Sequence, residues 1–411
     1  MRGALPLRVG LPALLAALAA ACAHAPVGRP PFVPEVAAPA AEERTGVEAP
    51  SPAAEEEAAT APATAAEPAA AEAAAPAGPP PVVFAAVGDI MLGSTFPDES
   101  NGALLPPDDG AGLLDEVSPV LQAADVAFGN LEGPLLDQGP SDKCKDSKPG
   151  RCYAFRVPER YGALLARAGF KVLSLANNHA GDFGEAGRQS TRAVLDRLGI
   201  AHAGGVGEVA WLEVRGRRVA VLAYSFSSGT NDLRDIETAV RQVKEARERA
   251  ELVVVSFHGG AEGAPYQHVP LGPERFYGED RGDERLFAHA VVDAGAALVL
   301  GHGPHVVRGL ELYRGRLIAY SLGNFATYGG MNLTGPNGIT LVLEARLADD
   351  GAFLSGRVHP VRQERPGGPR RDPGGAIVPL LRRLSVEDFG AAAPQIGDDG
   401  AISPPAPAPA S

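Results

Sequence analysis

Basic residues are the minority charge in this chain of 411 residues, which has 37 Lys and Arg against 50 Asp and Glu and a net charge of −13. Since no basic stripe could neutralise a phosphate backbone, we exclude nucleic acid as a partner. No internal repeat marks a solenoid or propeller. Aromatic residues make up only 6%, but the 45% hydrophobic content is enough for one large domain or two modest ones.

Long apolar runs are also scarce, and the clearest one lies at the start of the chain. Residues 1–22 place Arg2 and Arg8 before a run of Leu and Ala that ends in small residues and Cys22. The run is too short to span a bilayer stably, so it predicts a secretory signal. Its end, LAAAC, is similar to a bacterial lipobox, which leaves two alternatives: lipidation at Cys22, or ordinary cleavage nearby.

Cysteine is nearly absent, with three residues in the whole chain. If Cys22 is lipidated or removed, only Cys144 and Cys152 remain, in the polar loop KCKDSKPGRC. For an exported pair in such a loop, a disulfide is favoured over a metal site.

The chain beyond the signal divides by composition. Residues 23–80 are rich in Ala, Pro and Glu with almost nothing to bury, which predicts a disordered tether. Residues 81–385 form the predicted folded domain, and 386–411 a disordered tail. A basic stretch at 363–371, QERPGGPRR, is either a solvated loop or a patch for an anionic partner.

Short apolar strands alternate with helical patterns through most of the folded domain, which indicates an α/β architecture. The predicted strands are 82–87, 125–129, 171–176, 218–225, 251–257 and 297–301. The predicted helices lie near 112–124, 158–169, 184–198, 232–250 and 283–294. From 305 to 362 only strands are predicted, forming either a second sheet or antiparallel edge strands of the first.

Polar side chains follow five of these strands at the point where each ends. They are Asp89; Asn130 and Glu132; Asn177, Asn178 and His179; His258 and Glu262; and His302 and His305. Because the carboxyl ends of parallel strands face a common crevice, we expect these loops to assemble one site. Imidazole, carboxylate and amide oxygen are ligands that suit Zn, Mn or Fe.

Each motif alone has a simpler interpretation. Gly88-Asp89 reads as a plain turn, and Asn177-Asn178-His179 as a helix N-cap. His258 could be a core histidine with its hydrogen bonds satisfied, and His302 and His305 ordinary loop residues. Five strand ends carrying ligand types together favour the metal site.

The motifs AVGDIML, GNLEGPL, SLANNHAGDFGEAG, SFHGGAEGAPYQ and LGHGPHVVRGLELYRGRLIAYSLGNF occur in this order. They resemble the bacterial CapA/PgsA capsule-synthesis family, associated with poly-γ-glutamate capsule and similar in fold to calcineurin-like metallophosphoesterases. The resemblance covers roughly residues 82–345. It implies a four-layer αββα sandwich with one or two divalent metal ions between strand-end loops.

The resemblance also implies roles for individual residues. Those matching metal ligands are Asp89, Glu132, Asn178, His258, His302 and His305. His179 matches the transition-state acid, and Asp182 is predicted to orient its ring. Asn130, Asn177 and Glu262 are predicted to bind substrate, whereas the segment 321–325, SLGNF, is assigned a structural role beneath the site.

Three positions depart from the family pattern. Met91 stands where the metallophosphoesterase motif Asp-x-His has its histidine, and Gly303 where a middle histidine is usual. Gly259 replaces a common tryptophan.

Two functions are consistent with these features. The first is a metal-dependent hydrolase or transferase acting on a phosphoester or polymer linkage in capsule or poly-γ-glutamate synthesis. The second is a non-catalytic component that binds metal and helps a membrane synthase complex export an anionic capsule polymer. The expected partners are a membrane, through the lipid anchor, and an anionic polymer or a phosphorylated small molecule; the expected location is the cell envelope.

Overall fold

The structure is a computed structural model that describes residues 79–96, 104–141, 143, 145 and 153–405. The predicted signal, the tether to residue 78, Cys22, Cys144 and Cys152 lie outside these residues. In the part of the chain that is described, no helix combines the length and apolar character that a membrane crossing requires.

Nineteen strands and six α-helices are found among the described residues. The strands are β1 (Val82–Met91), β2 (Val126–Leu131), β3 (Val172–Ser174), β4 (Ala201–Ala203), β5 (Ala210–Val214), β6 (Arg217–Ser225), β7 (Asn231–Asp232), β8 (Leu252–His258), β9 (Glu274–Phe276), β10 (Glu279–Gly282), β11 (Leu298–His302), β12 (Leu310–Tyr313), β13 (Arg316–Ala319), β14 (Asn324–Thr327), β15 (Ile339–Leu347), β16 (Phe353–Gln363), β17 (Pro369–Arg371), β18 (Gln395–Ile396) and β19 (Ala401–Ser403). The helices are α1 (Ser118–Ala123), α2 (Gly162–Ala168), α3 (Gly184–Leu198), α4 (Ile236–Arg247), α5 (Glu284–Ala294) and α6 (Ile377–Phe389).

The strands form two large sheets and one hairpin. The first sheet has ten strands in the order β18-β19-β16-β15-β1-β2-β3-β4, with β14 beside β1 and β17 beside β16. The second has seven strands in the order β12-β13-β11-β8-β6-β5, with β7 beside β6. The strands β9 and β10 pair only with each other. The segment 305–362 therefore contributes to both sheets, so each alternative predicted for it holds in part.

Three apolar layers hold the sheets together. One lies between the sheets and contains side chains such as Phe84 of β1 and Val254 of β8. A second packs α1, α2 and α3 on the outer face of the first sheet, and a third packs α4 and α5 on the outer face of the second. The result is the predicted four-layer αββα sandwich.

The continuous apolar runs of the central strands follow from this layering. In β6, Val219 and Val221 face the other sheet, whereas Ala220 and Leu222 face the helices. A strand buried on both faces has no polar side, so its sequence does not alternate. Each such side chain contributes about 1.5–3 kcal/mol through burial.

Helix boundaries differ from prediction where local capping decides them. The helix α3 has the predicted bounds, 184–198. The helix α4 is shorter than 232–250, because the Asp235 side chain accepts from Thr238 N and fixes its start. In the segment 112–124, only Ser118–Ala123 is helical.

The folded region extends beyond the boundary predicted at residue 385. Helix α6 continues to Phe389, and β18 and β19 form a hairpin whose second strand pairs with β16. Ile396 and Ile402 are buried in the layer between the sheets. These two buried side chains and the pairing with β16 order this segment, although its polar composition predicted a disordered tail.

Candidate metal centre

Two rows of polar residues cross the strand ends, one on each sheet. In the first sheet the parallel register places Asp89 between Asn324 of β14 and Asn130 of β2. In the second it places His258 of β8 opposite His302 of β11. The loops predicted to assemble one site thus come from the two sheets of the sandwich.

The two rows meet around Asp89 and Glu132, both fully buried. His305 Nδ1 lies 3.0 Å from Asp89 Oδ2, and His302 Nδ1 lies 3.3 Å from Asp89 Oδ1. Glu132 Oε1 is 3.7 Å from His305 Nε2 and 3.9 Å from His258 Nε2. One potential ligand atom from each of Asp89, Glu132 and His305 lies within 4.8 Å of the others.

The centre contains many buried polar atoms that have no hydrogen-bond partner among the described residues. They are both Glu132 carboxylate oxygens, His258 Nε2, both ring nitrogens of His302, Asn178 Oδ1 and Asn324 Oδ1. An unsatisfied buried polar atom costs about 1–3 kcal/mol. The oxygens and one nitrogen of each ring can present a lone pair, so a divalent cation would satisfy several of them together. The oxygen and imidazole donors fit Zn, Mn or Fe.

Protonation is also set by burial and by the neighbouring charges. Burial raises the pKa of Glu132 to about 8, although His305 opposes the shift. Burial alone would lower the pKa of His305, but Glu132 and Asp89 raise it to about 10. Burial tends to raise the pKa of Asp89, and the rings of His302 and His305 outweigh it and lower that pKa well below its usual value. Burial lowers the pKa of His258 well below its usual value, so this ring is a neutral base able to ligate.

His179 and Asp182 form a pair beside this centre. His179 Nδ1 lies 2.7 Å from Asp182 Oδ2, and its Nε2 lies 3.9 Å from Glu132 Oε1. The ring packs on Phe155, with centroids 4.2 Å apart. Burial lowers the pKa of His179, although the bond to Asp182 opposes the shift. Thus Nδ1 of His179 faces Asp182, and Nε2 faces the centre.

The segment Asn177–His179 does not cap a helix. The helix α3 begins at Gly184 with Phe183 at the N-cap position and no side-chain capping bond. Asn177 Oδ1 instead accepts from His179 N at 3.1 Å, which closes a local turn. The N-cap interpretation of this motif is therefore wrong.

Asn130 and Asn177 lie behind the ligands and not in the cleft, so their predicted contact with substrate is wrong. Both are fully buried. Asn130 Nδ2 donates to Asp89 Oδ1 at 2.8 Å and lies 3.3 Å from His258 Nδ1. Asn177 Nδ2 donates to Asn130 Oδ1 at 3.1 Å. This chain of amides orients the ligands.

An open cleft of ≈ 930 Å³ leads to the centre. Among the residues that line it are Lys143, Tyr153, Phe155, Asn178, His179, Glu262, Phe276, Tyr277, Arg281, His305, Asn324 and Asn337. Glu262 accepts from Arg281 Nη1 at 2.8 Å on the cleft wall. The basic stretch at 363–371 is not part of this lining, and its Arg370 and Arg371 contact Glu116 instead.

Lys143 and Arg281 were missed in the sequence. Lys143 Nζ contacts both Asp182 Oδ1 and His179 Nδ1, the latter at 3.2 Å. The loop that brings it there is polar, and nothing in its spacing relates it to a residue 36 positions away. Both cations are recognisable only from the folded chain.

Two of the departures from the family pattern are coupled by a close backbone approach. Gly259 N donates to His302 O at 2.9 Å. Gly303 has a φ of +114°, and a Cβ placed on it would lie 2.1 Å from Gly259 O. No side chain fits at position 303 in this loop arrangement. Because both positions are glycine, the loops supply neither the histidine nor the tryptophan that is usual in the family.

A buried ion cluster supports the loop that carries Glu262. The guanidinium of Arg308, fully buried, donates to Glu274 at 2.7 and 2.9 Å and to Glu284 at 2.7 Å. Its Nη2 also reaches Ala261 O at 3.4 Å. Burial raises the pKa of Glu284 to about 8 against the opposing charge of Arg308.

We expect Arg308→Met to lower the free energy of unfolding by about 3–5 kcal/mol, because two buried carboxylates lose their counter-ion. Urea denaturation measures the change. Arg314→Met is the matched control, since Arg314 forms an exposed pair with Asp293 at 3.0 Å and its loss should cost under about 1 kcal/mol. Equal effects of the two substitutions would contradict a role for the cluster.

The sequence matches a known protein family. The model of a family described as bacterial capsule synthesis protein PGA_cap matches residues 83–328. The chain is 29% identical over 289 residues to the capsule biosynthesis protein CapA of Bacillus anthracis, covering 65% of this chain and 64% of that protein. It is 31% identical over 258 residues to the PGA biosynthesis protein CapA of Bacillus subtilis strain 168, covering 58% and 61%.

The chain thus spans less than two thirds of the length of these relatives. Among solved structures, the calcineurin-like phosphoesterase YfkN from Bacillus subtilis aligns with a TM-score of 0.35 and 12% identity, covering 71% of this chain and 88% of that one. An alignment this loose says nothing of the chemistry of this chain.

Proposed function

Because the chain belongs to the bacterial capsule synthesis family PGA_cap, we propose that it is a metal-dependent hydrolase of the cell envelope, acting on a phosphoester or polymer linkage during capsule or poly-γ-glutamate synthesis. The observation that carries this proposal is the set of buried polar atoms around Glu132 that have no hydrogen-bond partner in the described part of the chain. Two relatives named for capsule and PGA biosynthesis supply the biological setting.

The ligands would be Asp89, Glu132, Asn178, His258, His302 and His305. A divalent ion held by such residues supplies a bound water of pKa about 7 and polarises the oxygen of the scissile group. Asn130 keeps Asp89 in place through its amide donation. Burial of the carboxylates and rings excludes bulk water from the centre, which strengthens each of these electrostatic interactions.

His179 is placed to handle the proton of the leaving group. Its Nδ1 is held by Asp182, so its Nε2 is directed at the centre and can hydrogen-bond or protonate a leaving oxygen. Lys143 balances the charge of Asp182. Glu262 and Arg281 on the opposite wall would contact the rest of the substrate.

The test is hydrolysis by the purified full chain of a panel that includes p-nitrophenyl phosphate, bis-p-nitrophenyl phosphate and poly-γ-glutamate. Assays compare protein loaded with Mn²⁺ or Zn²⁺ with protein treated with EDTA. Turnover of at least one substrate, lost with EDTA and restored by metal, supports the proposal. A chain that binds metal but turns over none of them would favour the non-catalytic assembly component.

We further propose that the protein is exported and anchored through a lipid on Cys22. In cell fractionation with detergent-phase partitioning, we expect the parent chain in the detergent phase and Cys22→Ser in the aqueous phase. Recovery of both proteins in the same membrane fraction would show that something other than Cys22 retains them.

A further inference from the structure

The side chain of Asn324 has a role that its predicted place beneath the site does not explain. It is 1% exposed and lines the cleft. Its Nδ2 donates to the backbone oxygens of Asn332 and Asn337, each at 3.3 Å. These two bonds fix the orientation of the amide, while its Oδ1 has no partner among the described residues. Support of the 332–337 loop explains the two bonds of the amide nitrogen, but it does not explain why the amide oxygen is buried.

The backbone places Asn324 beside Asp89 of the proposed metal centre. Asn324 is the first residue of β14. At this point β14 takes the place of β15 as the neighbour of β1, and the register partner of Asn324 is Asp89. Asp89 N donates to Gly323 O at 2.8 Å. Neighbouring strands are about 4.8 Å apart, so side chains of register partners on one face can reach a common ion. A Cβ on Gly88 would lie 1.9 Å from Gly323 O, so only glycine permits this contact.

The chemistry of the missing partner is restricted. An amide oxygen can accept a hydrogen bond or ligate a cation, but it cannot satisfy a phosphate or carboxylate, which present only oxygens. Asn178 Oδ1 and both Glu132 oxygens likewise have no hydrogen-bond partner among the described residues. A shared cation would contact all of these oxygens, whereas the ionised phosphate or carboxylate groups of a substrate offer them no donor.

The centre also lacks two donors that the family pattern supplies. Met91 is buried against Phe155 and Met331, and Gly303 has no side chain, so neither provides nitrogen or oxygen. On the β14 side of Asp89, the register partner is Asn324.

We propose that Asn324 Oδ1 is a ligand of a divalent cation in the centre, to which Met91 and Gly303 contribute no donor. The inference rests on the proposed metal centre. Asn337 is a positioning residue, because its backbone oxygen holds the Asn324 amide while its own Nδ2 donates to His305 O at 3.1 Å. One residue therefore orients two ligands.

The test is Mn²⁺ binding by isothermal titration calorimetry to the full chain and to three variants, Asn324→Ala, Asn324→Asp and Asn332→Ala. Asn324→Ala removes the ligand and should weaken binding by at least about ten-fold. Asn324→Asp loses both N–H donations but keeps an oxygen, so it should bind Mn²⁺ as tightly as the parent or more tightly. Asn332→Ala should bind as the parent does, because its amide oxygen already accepts from Thr334 N at 3.0 Å.

Unfolding in EDTA measures the structural contribution of the same side chain separately. Both Asn324 variants should lose some metal-free stability through the 332–337 loop. If Asn324→Ala does not fold, Asn324→Asp alone decides. Parental affinity in Asn324→Ala, or clearly weaker binding in Asn324→Asp, would overturn this inference while leaving the metal centre intact. No Mn²⁺ or Zn²⁺ binding by the parent would overturn both.

Discussion

Replacing His179 by alanine is expected to lower turnover by about 10²–10⁴-fold while the bound metal and the fold are retained, since this is the usual effect of losing a positioned acid or base. The ring bonds to Asp182 at 2.7 Å, and its other nitrogen lies 3.9 Å from Glu132. His258 lies at the same distance from Glu132, so what distinguishes His179 is its bond to Asp182, which leaves Nε2 directed at the centre. Steady-state kinetics with the substrate found in the panel gives the loss.

The matched variant is Asn178→Ala, one residue earlier in the same loop. Its Oδ1 is buried without a partner, and we assign it to the metal. This substitution should therefore reduce metal content, whereas His179→Ala should not. Mass spectrometry of the bound metal separates the two effects. Loss of metal in His179→Ala, or normal turnover with metal present, would remove His179 from its proposed role.

Replacing either His258 or His302 by alanine is expected to lower metal content and thermal stability together. Both rings are fully buried and have nitrogens without partners. A ligand that binds only the folded state at 100 times its Kd stabilises that state by about 2.7 kcal/mol. The metal-induced rise in Tm seen with the parent should therefore shrink or vanish in both variants.

The control for this pair is His268→Ala. His268 is exposed and pairs with Asp388 at 2.7 Å, outside the set of proposed ligands. Its removal should leave the metal-induced rise in Tm unchanged. If all three variants retain the parental metal stoichiometry, then His258 and His302 are core histidines and not ligands.

The sequence predicts the central strands and α3 closely because those segments depend on local information. Apolar runs in β6 and β8 and the Gly199 that ends α3 are visible in the chain itself. The convergence of Asp89, Glu132, His258 and His305 was also predictable, since polar residues at strand ends mark where a site is built.

The remaining features depend on contacts between distant segments. That Asp89 and His258 belong to different sheets follows from packing that no local pattern encodes. Asn130 looks like a substrate contact until Asp89 is seen to accept its amide hydrogen. The oxygen of Asn324 is buried with no partner among the residues described, which the sequence alone does not indicate. In each case the sequence identifies a polar residue, but not the groups that its side chain contacts.

The measurement that tests the central claim most directly is an anomalous difference map from crystals of the protein grown with Mn²⁺, recorded above and below the manganese absorption edge. The account predicts a peak between the two sheets, with Asp89, Glu132, His258 and His302 around it at about 2.0–2.3 Å from the ion. A map with no peak among these residues, or with manganese bound only elsewhere, would contradict the account.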